Sequence, residues 1–517
     1  MDRKHRNASL LVVILALGWH ASATSTVAAA ASVAHAREYA AANKDAFLRQ
    51  LLDLASIASI SALPQHNKDI LKAADWLQQH LNSIGLENVQ ALETEGPQPV
   101  VYADWLHAPG KPTVLVYGHY DVQPVDPLDL WTSPPFEPQL QQMDGQSYFV
   151  GRGVDDDKGG LLQALQGMES FLRTSQSLPL NVKFILEGQE EIGSPNLEAF
   201  LIKHKAGLLA GIDMAISADG GQVAADQPGI GTGLRGAVAF EVEVSTAGMD
   251  LHSGMKGGSV QNANHALVAL LASLKDADNR ITVPGFYDDV AAMAAEDKAS
   301  VAAFPFDKTT EQRALGVLGF MGEAGFGPLE HRWYRPTLEV VGMWGGFTGA
   351  GMKTVIPRVA NAKLSCRLVP NMSPDDIAAK VKAHLERKGA ELLANVTVTV
   401  SGFRSYPWTS PRDTPGNVLS AGVLEAAMGR NPFYYRDGGT IPALAYFQQV
   451  LGLNSTIFAF GLGDHIHAPN ERLLEHLFHT GRKAWVEYLA VLGDKLAGLL
   501  PPDAPVHAGS GAGRDEL

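Results

Sequence analysis

Apolar residues in the first half of the chain follow two patterns, one typical of helices and one typical of buried strands. In residues 69–84 the apolar positions are spaced by four, three, four and three, which predicts an amphipathic helix that ends at Gly85. Short continuous apolar runs predict three buried strands, at 112–117, 182–186 and 213–217. Helical segments separate these strands, at 158–173 and 198–205. Strands that alternate with helices in this way predict an α/β fold with a mainly parallel sheet.

The pattern changes after about Gly231. Apolar and polar residues alternate from Val238 to Val244 and again from Asn361 to Leu368, so each of these strands is expected to have one exposed face. The same region contains two predicted helices and one further strand, at 261–274, 374–388 and 396–400. These elements predict a smaller α+β domain at 231–408, inserted into the first domain and arranged as a hinged lid.

The α/β pattern then resumes, with a predicted helix, a strand and a long helix, at 417–428, at 455–460 and from Asn470 onwards. The domain with the parallel sheet is therefore predicted to be discontinuous, formed by residues 37–230 and 409–500. The final residues, 501–517, begin with a segment rich in proline, glycine and alanine and are predicted to be a flexible tail.

Composition excludes several classes of protein. The chain has 517 residues, of which 46% are hydrophobic and 19% charged, which excludes intrinsic disorder, coiled coil and collagen. The formal net charge is −14, and an acidic chain is a poor binder of nucleic acid. Cys366 is the single cysteine, so no intramolecular disulfide can form.

The N-terminus has the organisation of an export signal. Three basic residues within the first six are followed by an apolar run at 8–19, which is shorter than the roughly 20 residues that a membrane helix needs. Small-residue cleavage motifs follow at 21–23 and 34–36, and the predicted signal peptide spans 1–36. We therefore expect a secreted or periplasmic protein without a membrane span after signal removal. An uncleaved membrane anchor is the alternative.

Polar clusters follow the predicted strands. They lie at 118–121, 151–160, 187–194, 218–221 and 461–471. Ligands of open α/β sheets bind at the carboxyl edge of the strands, so these clusters are expected to meet there. Each cluster alone has an ordinary explanation, since a histidine can cap a helix and acidic residues favour a helix start. Their joint position after apolar strands favours a functional site.

The side chains in these clusters suit metal ions. Converging carboxylates repel one another unless a cation lies between them. Imidazoles and carboxylates without cysteine are typical ligands of zinc, cobalt or manganese. Two metals that share one carboxylate need a ligand set of about this size, and one carboxylate must stay off the metals to act as a base. Chemistry alone does not choose between His465 and His467.

With these motifs the sequence resembles the M20 metallopeptidases, and in particular their carnosinase-like and peptidase V-like dipeptidase branch. The resemblance covers residues 40 to 495. It implies two Zn²⁺ ions per subunit, with Co²⁺ or Mn²⁺ as alternatives, in a di-zinc catalytic domain. The implied ligands of one ion are His119, Asp156 and Asp219, and those of the other are Asp156, Glu191 and His467. Asp121 is implied to orient His119, and Glu190 to act as general base; the neighbours Asp155 and Asp157 leave a one-residue ambiguity at the bridging position.

The resemblance extends to the inserted domain, which it makes a lid and dimerisation domain. His252 resembles a lid histidine that reaches the active site of the partner subunit in family dimers, so a homodimer is expected. Thr354, Arg367 and Thr440 lie in segments that resemble those holding the substrate. The strand alternation turns Arg367 away from the apolar neighbours of its strand. The alternatives are a surface arginine at Arg367 and a turn residue at His252.

The predicted function is that of an exported zinc metallopeptidase that hydrolyses dipeptides or C-terminal peptide bonds. The metals would activate a water, and Glu190 would take its proton. The nearest alternative is a deacylase of N-acyl amino acids with the same two-metal site. A periplasmic solute-binding protein is an alternative from another class, but it has no use for a free carboxylate beside a metal cluster.

Overall fold

The computed structural model describes residues 30–500. Most of the predicted signal peptide, residues 1–29, and the predicted tail, 501–517, lie outside the described residues. The described helices are α1 (30–42), α2 (Lys44–Ala55), α3 (Asn67–Ile84), α4 (Lys158–Ser175), α5 (Leu197–His204), α6 (Ser253–Lys256), α7 (Ala263–Ala272), α8 (Ala295–Ala303), α9 (Lys308–Leu315), α10 (Pro328–Tyr334), α11 (Pro374–Glu391), α12 (Pro415–Met428), α13 (Pro442–Tyr446) and α14 (Glu475–Lys495). Among the described residues, no helix has the length and apolar character needed to cross a membrane.

The described strands belong to two larger sheets and several short ladders. They are β1 (Glu87–Leu92), β2 (Val100–Trp105), β3 (Thr113–His119), β4 (Gln139–Met143), β5 (Gln146–Val150), β6 (Asn181–Glu187), β7 (Met214–Ser217), β8 (Gly229–Gly231), β9 (Gly233–Leu234), β10 (Gly236–Ser245), β11 (Leu251–His252), β12 (Thr337–Gly345), β13 (Val355–Ile356), β14 (Val359–Leu368), β15 (Asn395–Ser405), β16 (Trp408–Thr409), β17 (Phe433–Tyr435), β18 (Ser455–Ile457) and β19 (Arg472–Leu474).

The larger sheet has the strand order β1-β2-β6-β3-β7-β18. Strands β6, β3, β7 and β18 are parallel, whereas β1 and β2 form an antiparallel edge. Every residue of β3 and β6 after the first is buried, because helices cover both faces of the sheet. Helix α4 is buried from Lys158 to Leu172 and packs against α14. The prediction of a mainly parallel α/β sheet is confirmed.

The second sheet is antiparallel and has the strand order β12-β14-β10-β15. Burial alternates along β10 and β14, as the sequence pattern predicts, and helices α7 and α11 contact the buried face. This sheet has its own hydrophobic core, separate from that of the larger sheet. The predicted α+β arrangement is therefore present, while the predicted domain limits of 37–230, 231–408 and 409–500 remain predictions.

Several elements differ from the prediction or were not predicted. The helix predicted from Asn470 begins only at Glu475, because residues 472–474 first form β19, which pairs with β5. The strand predicted at 455–460 ends at Ile457. Strand β12 was missed because most of its apolar residues are exposed and do not alternate with polar ones. The antiparallel edge and helices α8 to α10 were also not predicted.

Candidate active site

The predicted site residues meet at the carboxyl edge of the parallel strands, which is where α/β sheets bind ligands. His119 is the last residue of β3, and Asp219 follows β7 by two residues. Glu190 and Glu191 form a short turn of helix after β6. Asp156 precedes α4, and the loop after β18 carries His467.

Two groups of three side chains converge around one shared carboxylate. They are His119, Asp156 and Asp219, and Asp156, Glu191 and His467, and within each group the potential ligand atoms lie within 4.8 Å of one another. The two carboxylate oxygens of Asp156 face different histidines, His119 Nε2 at 3.0 Å and His467 Nε2 at 3.0 Å. His119 Nε2 lies 3.9 Å from Asp219 Oδ2, and His467 Nε2 lies 3.2 Å from Glu191 Oε2. Nitrogen and oxygen donors in this arrangement fit two divalent ions of the zinc, cobalt or manganese type.

The electrostatics of the cluster favour a cation among the carboxylates. Burial, together with neighbouring carboxylates, raises the pKa of Asp219 to about 7 and also raises the pKa of Glu191. Burial likewise raises the pKa of Asp156, but hydrogen bonds from His119 and His467 outweigh it and hold this pKa below its usual range. Hydrogen bonds to Asp156 and Glu191 raise the pKa of His467 to about 10. Positive charge is therefore stabilised at this position, and divalent ions can provide it.

The structure distinguishes between the neighbouring candidates. Asp155 belongs to neither group of donors, and its carboxylate accepts a hydrogen bond from the backbone amide of Gly463 at 2.9 Å. Asp157 accepts the amide of His119 at 3.1 Å. His465 pairs with Asp464 at 2.6 Å. Of the adjacent acids and histidines, Asp156 and His467 are therefore the ones whose side chains enter the two groups of donors.

Asp121 is fully buried beneath the cluster and holds both glutamates in place. Its carboxylate oxygens accept the backbone amides of Glu190 at 3.2 Å and Glu191 at 3.1 Å. His119 Nδ1 lies 3.1 Å from the Asp121 carbonyl oxygen, which can only accept, so this nitrogen is the donor and carries the proton. The other ring nitrogen, Nε2, faces Asp156 and is the one that could bind a metal in place of its proton.

A second buried anchor was not predicted. Glu471 and Arg152 form an ion pair at 2.7 Å whose side chains are 1% exposed. Glu471 also accepts the amides of Gly153, Asp155 and Asp156 at 3.0 to 3.1 Å, so it fixes the loop that carries the shared carboxylate. Both residues lie in polar clusters of the sequence, but their pairing across the chain gave no local signal.

A cavity of about 690 Å³ opens over the cluster. Glu190 lines it and belongs to neither group of metal donors. Arg367 and Thr440 also line it, and Arg367 Nη1 donates a hydrogen bond to Thr440 Oγ1 at 2.8 Å. The neighbours Cys366 and Leu368 are fully buried on the opposite face of β14, so the predicted orientation of Arg367 is confirmed.

His252 and Thr354 are not among the residues that line this cavity in the described part of the single chain. His252 is exposed, and its Nδ1 accepts the amide of Gly254 at 3.1 Å. Thr354 is also exposed, and its carbonyl oxygen accepts the amide of Ser253 at 3.1 Å. The two residues are thus neighbours, and their contribution to a partner's site stays a prediction.

The fold and the clustered donors define a metal-dependent hydrolase. The sequence profile of peptidase family M20/M25/M40 matches residues 115–491, and the chain belongs to this family. It is therefore a peptidase, and the resemblance found in the sequence is confirmed.

Relatives cover nearly the whole chain. The Beta-Ala-His dipeptidase of Homo sapiens is 31% identical over 494 residues, which are 93% of this chain and 97% of the relative. The Cys-Gly metallodipeptidase dug1 of Schizosaccharomyces pombe is 30% identical over 456 residues, which are 86% and 95% of the two chains. The solved structure of the di-peptidase Dug1p from Saccharomyces cerevisiae superposes with a TM-score of 0.79 at 28% identity, covering 89% of this chain and 98% of that one.

Proposed function

We propose that this protein is a dipeptidase that uses two metal ions. The observation that carries the proposal is the pair of donor groups sharing Asp156, with the unshared carboxylate of Glu190 in the same cavity. The relatives described above are named as dipeptidases, and the chain matches them over nearly their full length. This favours peptide hydrolysis over deacylation of N-acyl amino acids, which the same kind of site could perform.

The proposed ligands of one ion are His119, Asp156 and Asp219, and those of the other are Asp156, Glu191 and His467. Zinc is the metal we propose, and cobalt or manganese suit the same donors. Bound ions would lower the pKa of a water and polarise the carbonyl of the scissile bond. Asp121 orients this set from below, since it holds both the His119 ring and the glutamate turn.

Glu190 is the proposed general base. Burial raises the pKa of Glu190 well above its ordinary value, and the pKa of a base must be raised to take up a proton near neutral pH. The Glu190 carboxylate takes a proton from the attacking water and then donates it to the nitrogen of the leaving amine. The peptide bond is thereby replaced by a carboxylate and an amine.

Arg367 is the proposed partner of the substrate carboxylate. A guanidinium can bind a carboxylate through two parallel hydrogen bonds. Thr440 accepts one hydrogen bond from Arg367 and donates its own hydroxyl hydrogen to the carbonyl oxygen of Arg235 at 2.6 Å. The guanidinium of Arg367 is therefore held at the cavity wall, and we propose that its other N–H groups bind the substrate.

The inserted domain is proposed to form a homodimer. Its edge strand β12 exposes Val341, Met343 and Trp344, with exposed fractions of 64%, 51% and 49%. An apolar edge of this kind is a typical interaction surface. We propose that the dimer brings His252 and Thr354 to the partner's cavity. Mixing His252→Ala with Glu190→Gln protein should then restore partial activity, and failure after verified subunit exchange would refute the shared site.

Export is proposed from the N-terminal signal pattern. Ala36 is fully buried in the main core and lies within α1, which begins at residue 30. Cleavage after Ala36 would remove part of this packing, so we propose processing at the earlier motif, 21–23. N-terminal sequencing of exported protein should find a start before residue 30, and a start at Arg37 would contradict this.

The first experiment compares hydrolysis of Ala-Ala and N-acetylalanine by the full chain supplied with zinc, cobalt or manganese. We expect Ala-Ala to be cleaved and a chelator to abolish activity. Glu190→Gln should retain about two metal ions per chain but lower turnover by about 10²–10⁴. Glu198→Gln, an exposed glutamate on α5, is the matched control. Cleavage of N-acetylalanine without Ala-Ala would instead identify a deacylase.

A further inference from the structure

One side of the cavity is aromatic. Phe304, Trp333 and Tyr435 line it, and we call these three residues the aromatic wall. Phe304 and Trp333 pack edge to face with ring centroids 4.8 Å apart, and Tyr435 lies 6.1 and 6.2 Å from them. Edge-to-face packing is a favoured arrangement of aromatic rings. The wall is therefore a packed surface that borders the reaction site.

The aromatic wall is tied directly to the metal side of the cavity. Tyr435 lies on β17, which pairs in parallel with β8, and its hydroxyl donates a hydrogen bond to the carbonyl oxygen of Gly221 at 3.0 Å. Gly221 follows Asp219 by two residues. Tyr435 therefore contacts the segment that follows Asp219, and the aromatic wall and Asp219 line the same cavity.

Two of the three rings come from the segment of α8 to α10, to which neither the motifs nor the proposed mechanism assigns a role. Phe304 directly follows α8, and Trp333 lies in α10. Asp297 on α8 bridges Arg412 and Arg436, with both nitrogen–oxygen distances at 3.3 Å. This double ion pair, which we call the Asp297 clamp, links α8 to the loop that carries Thr440 and to the segment that precedes α12.

The chemistry of the wall selects the kind of group that can contact it. The hydroxyl of Tyr435 is already bonded to Gly221 and Phe304 has no polar side-chain atom, so these two rings present apolar surface to the cavity. A large apolar side chain would displace water from these rings, which favours binding. A glycine residue would leave the rings exposed to water. The charged groups of the cavity, Arg367 and the carboxylates, lie in another part of its lining. The apolar and the charged regions can therefore bind different parts of one peptide.

We propose that the aromatic wall is a specificity site for a large apolar side chain of the peptide substrate, and that the Asp297 clamp holds it in position. The proposal rests on the dipeptidase function proposed above. It predicts preference for peptides containing leucine or phenylalanine over those containing only glycine or alanine.

The test measures kcat/KM of the full chain for two peptide series, Xaa-Gly and Gly-Xaa, with Xaa as glycine, alanine, leucine or phenylalanine. In at least one series we expect leucine and phenylalanine to exceed glycine by about tenfold or more, the scale on which apolar pockets discriminate. Phe304→Ala should reduce this ratio by about tenfold. Phe326→Ala, an exposed ring of the same segment outside the cavity lining, should leave the ratio unchanged.

Substitutions at Asp297 test whether the Asp297 clamp positions the aromatic wall. Asp297→Asn should lower the ratio of phenylalanine to glycine peptides, Asp297→Glu should restore part of it, and Glu296→Gln on the exposed side of α8 should not change it. Because the ratio compares two substrates of one protein, a loss of folded enzyme does not move it.

The outcomes separate the two proposals. Absence of hydrolysis of every peptide would refute the dipeptidase function itself. Hydrolysis of the glycine and alanine peptides with no rise towards leucine or phenylalanine in either series would refute the specificity site alone. The series on the unmodified protein decides this even if Phe304→Ala does not fold. An unchanged ratio in folded Phe304→Ala would equally overturn the assignment.

Discussion

Replacing Asp121 by asparagine tests how the glutamate turn is held. The two carboxylate oxygens of Asp121 each accept one backbone amide, from Glu190 at 3.2 Å and from Glu191 at 3.1 Å. Asparagine has the same size but only one acceptor oxygen, so its NH₂ group must face one of the two amides. A hydrogen bond to a charged group contributes about 1.5–3 kcal/mol. Because each 1.36 kcal/mol is a factor of ten, we expect kcat/KM to fall about ten- to a hundredfold.

The assay combines kcat/KM for a dipeptide with metal content and melting temperature. We expect a lower melting temperature together with the loss of activity, since the buried amide is left without an acceptor. Asp129→Asn, an exposed aspartate in a short helical turn at 128–130, is the matched control and should behave like the unmodified protein. If Asp121→Asn keeps kcat/KM within about threefold, the hydrogen bonds to the turn do not position Glu190 and Glu191.

Three further predictions concern ionisable side chains that are wholly or partly buried. Glu471→Ala should lower the free energy of unfolding by about 3–5 kcal/mol, measured by urea titration, because it leaves Arg152 buried and unpaired. Arg367→Lys should reduce kcat/KM about ten- to a hundredfold for a dipeptide and barely change it for the C-terminal amide; parallel losses on both would exclude contact with the carboxylate. Burial raises the pKa of Glu187 to about 8, so the folded state keeps its proton while the unfolded state loses it above about pH 4.5. Stability from this group is therefore lost as pH rises from about 4.5 to 8, by up to about 1.4 kcal/mol per pH unit, and Glu187→Gln should flatten this fall between pH 5.5 and 7.5.

Much of the larger sheet could be predicted because its strands are buried on both faces. Continuous apolar runs at β3, β6 and β7 are short and clearly bounded, and polar clusters follow each of them. Parallel strands bring those clusters to one edge, so the meeting of His119, Glu191 and Asp219 follows from strand order. Asp156 instead lies between β5, which belongs to another sheet, and α4, so strand order does not predict its place. The choice of His467 over His465 came from the family resemblance, and no local pattern separates them.

Other features depend on contacts that no local pattern carries. Arg152 and Glu471 are 319 positions apart, and each alone is an ordinary polar residue. Strand β12 is not predicted by the sequence pattern. Its residues Val341 and Trp344 are exposed, which breaks the alternation expected of a strand with one buried face. The aromatic wall combines segments that are distant in sequence, so it exists only in the folded chain.

The discontinuity of the larger sheet has a consequence for when the enzyme gains activity. A chain synthesised as far as β7 and its loop already carries Asp156, Glu191 and Asp219, but neither His467 nor Glu471. Strand β18 and helix α14, which complete the sheet and cover α4, belong to the last part of the chain. Nascent or truncated chains would therefore hold clustered carboxylates without the closing histidine or the anchor of the Asp156 loop. The proposed metal site is therefore complete only once the chain has been synthesised through His467 and Glu471, and the helix that covers α4 follows after them.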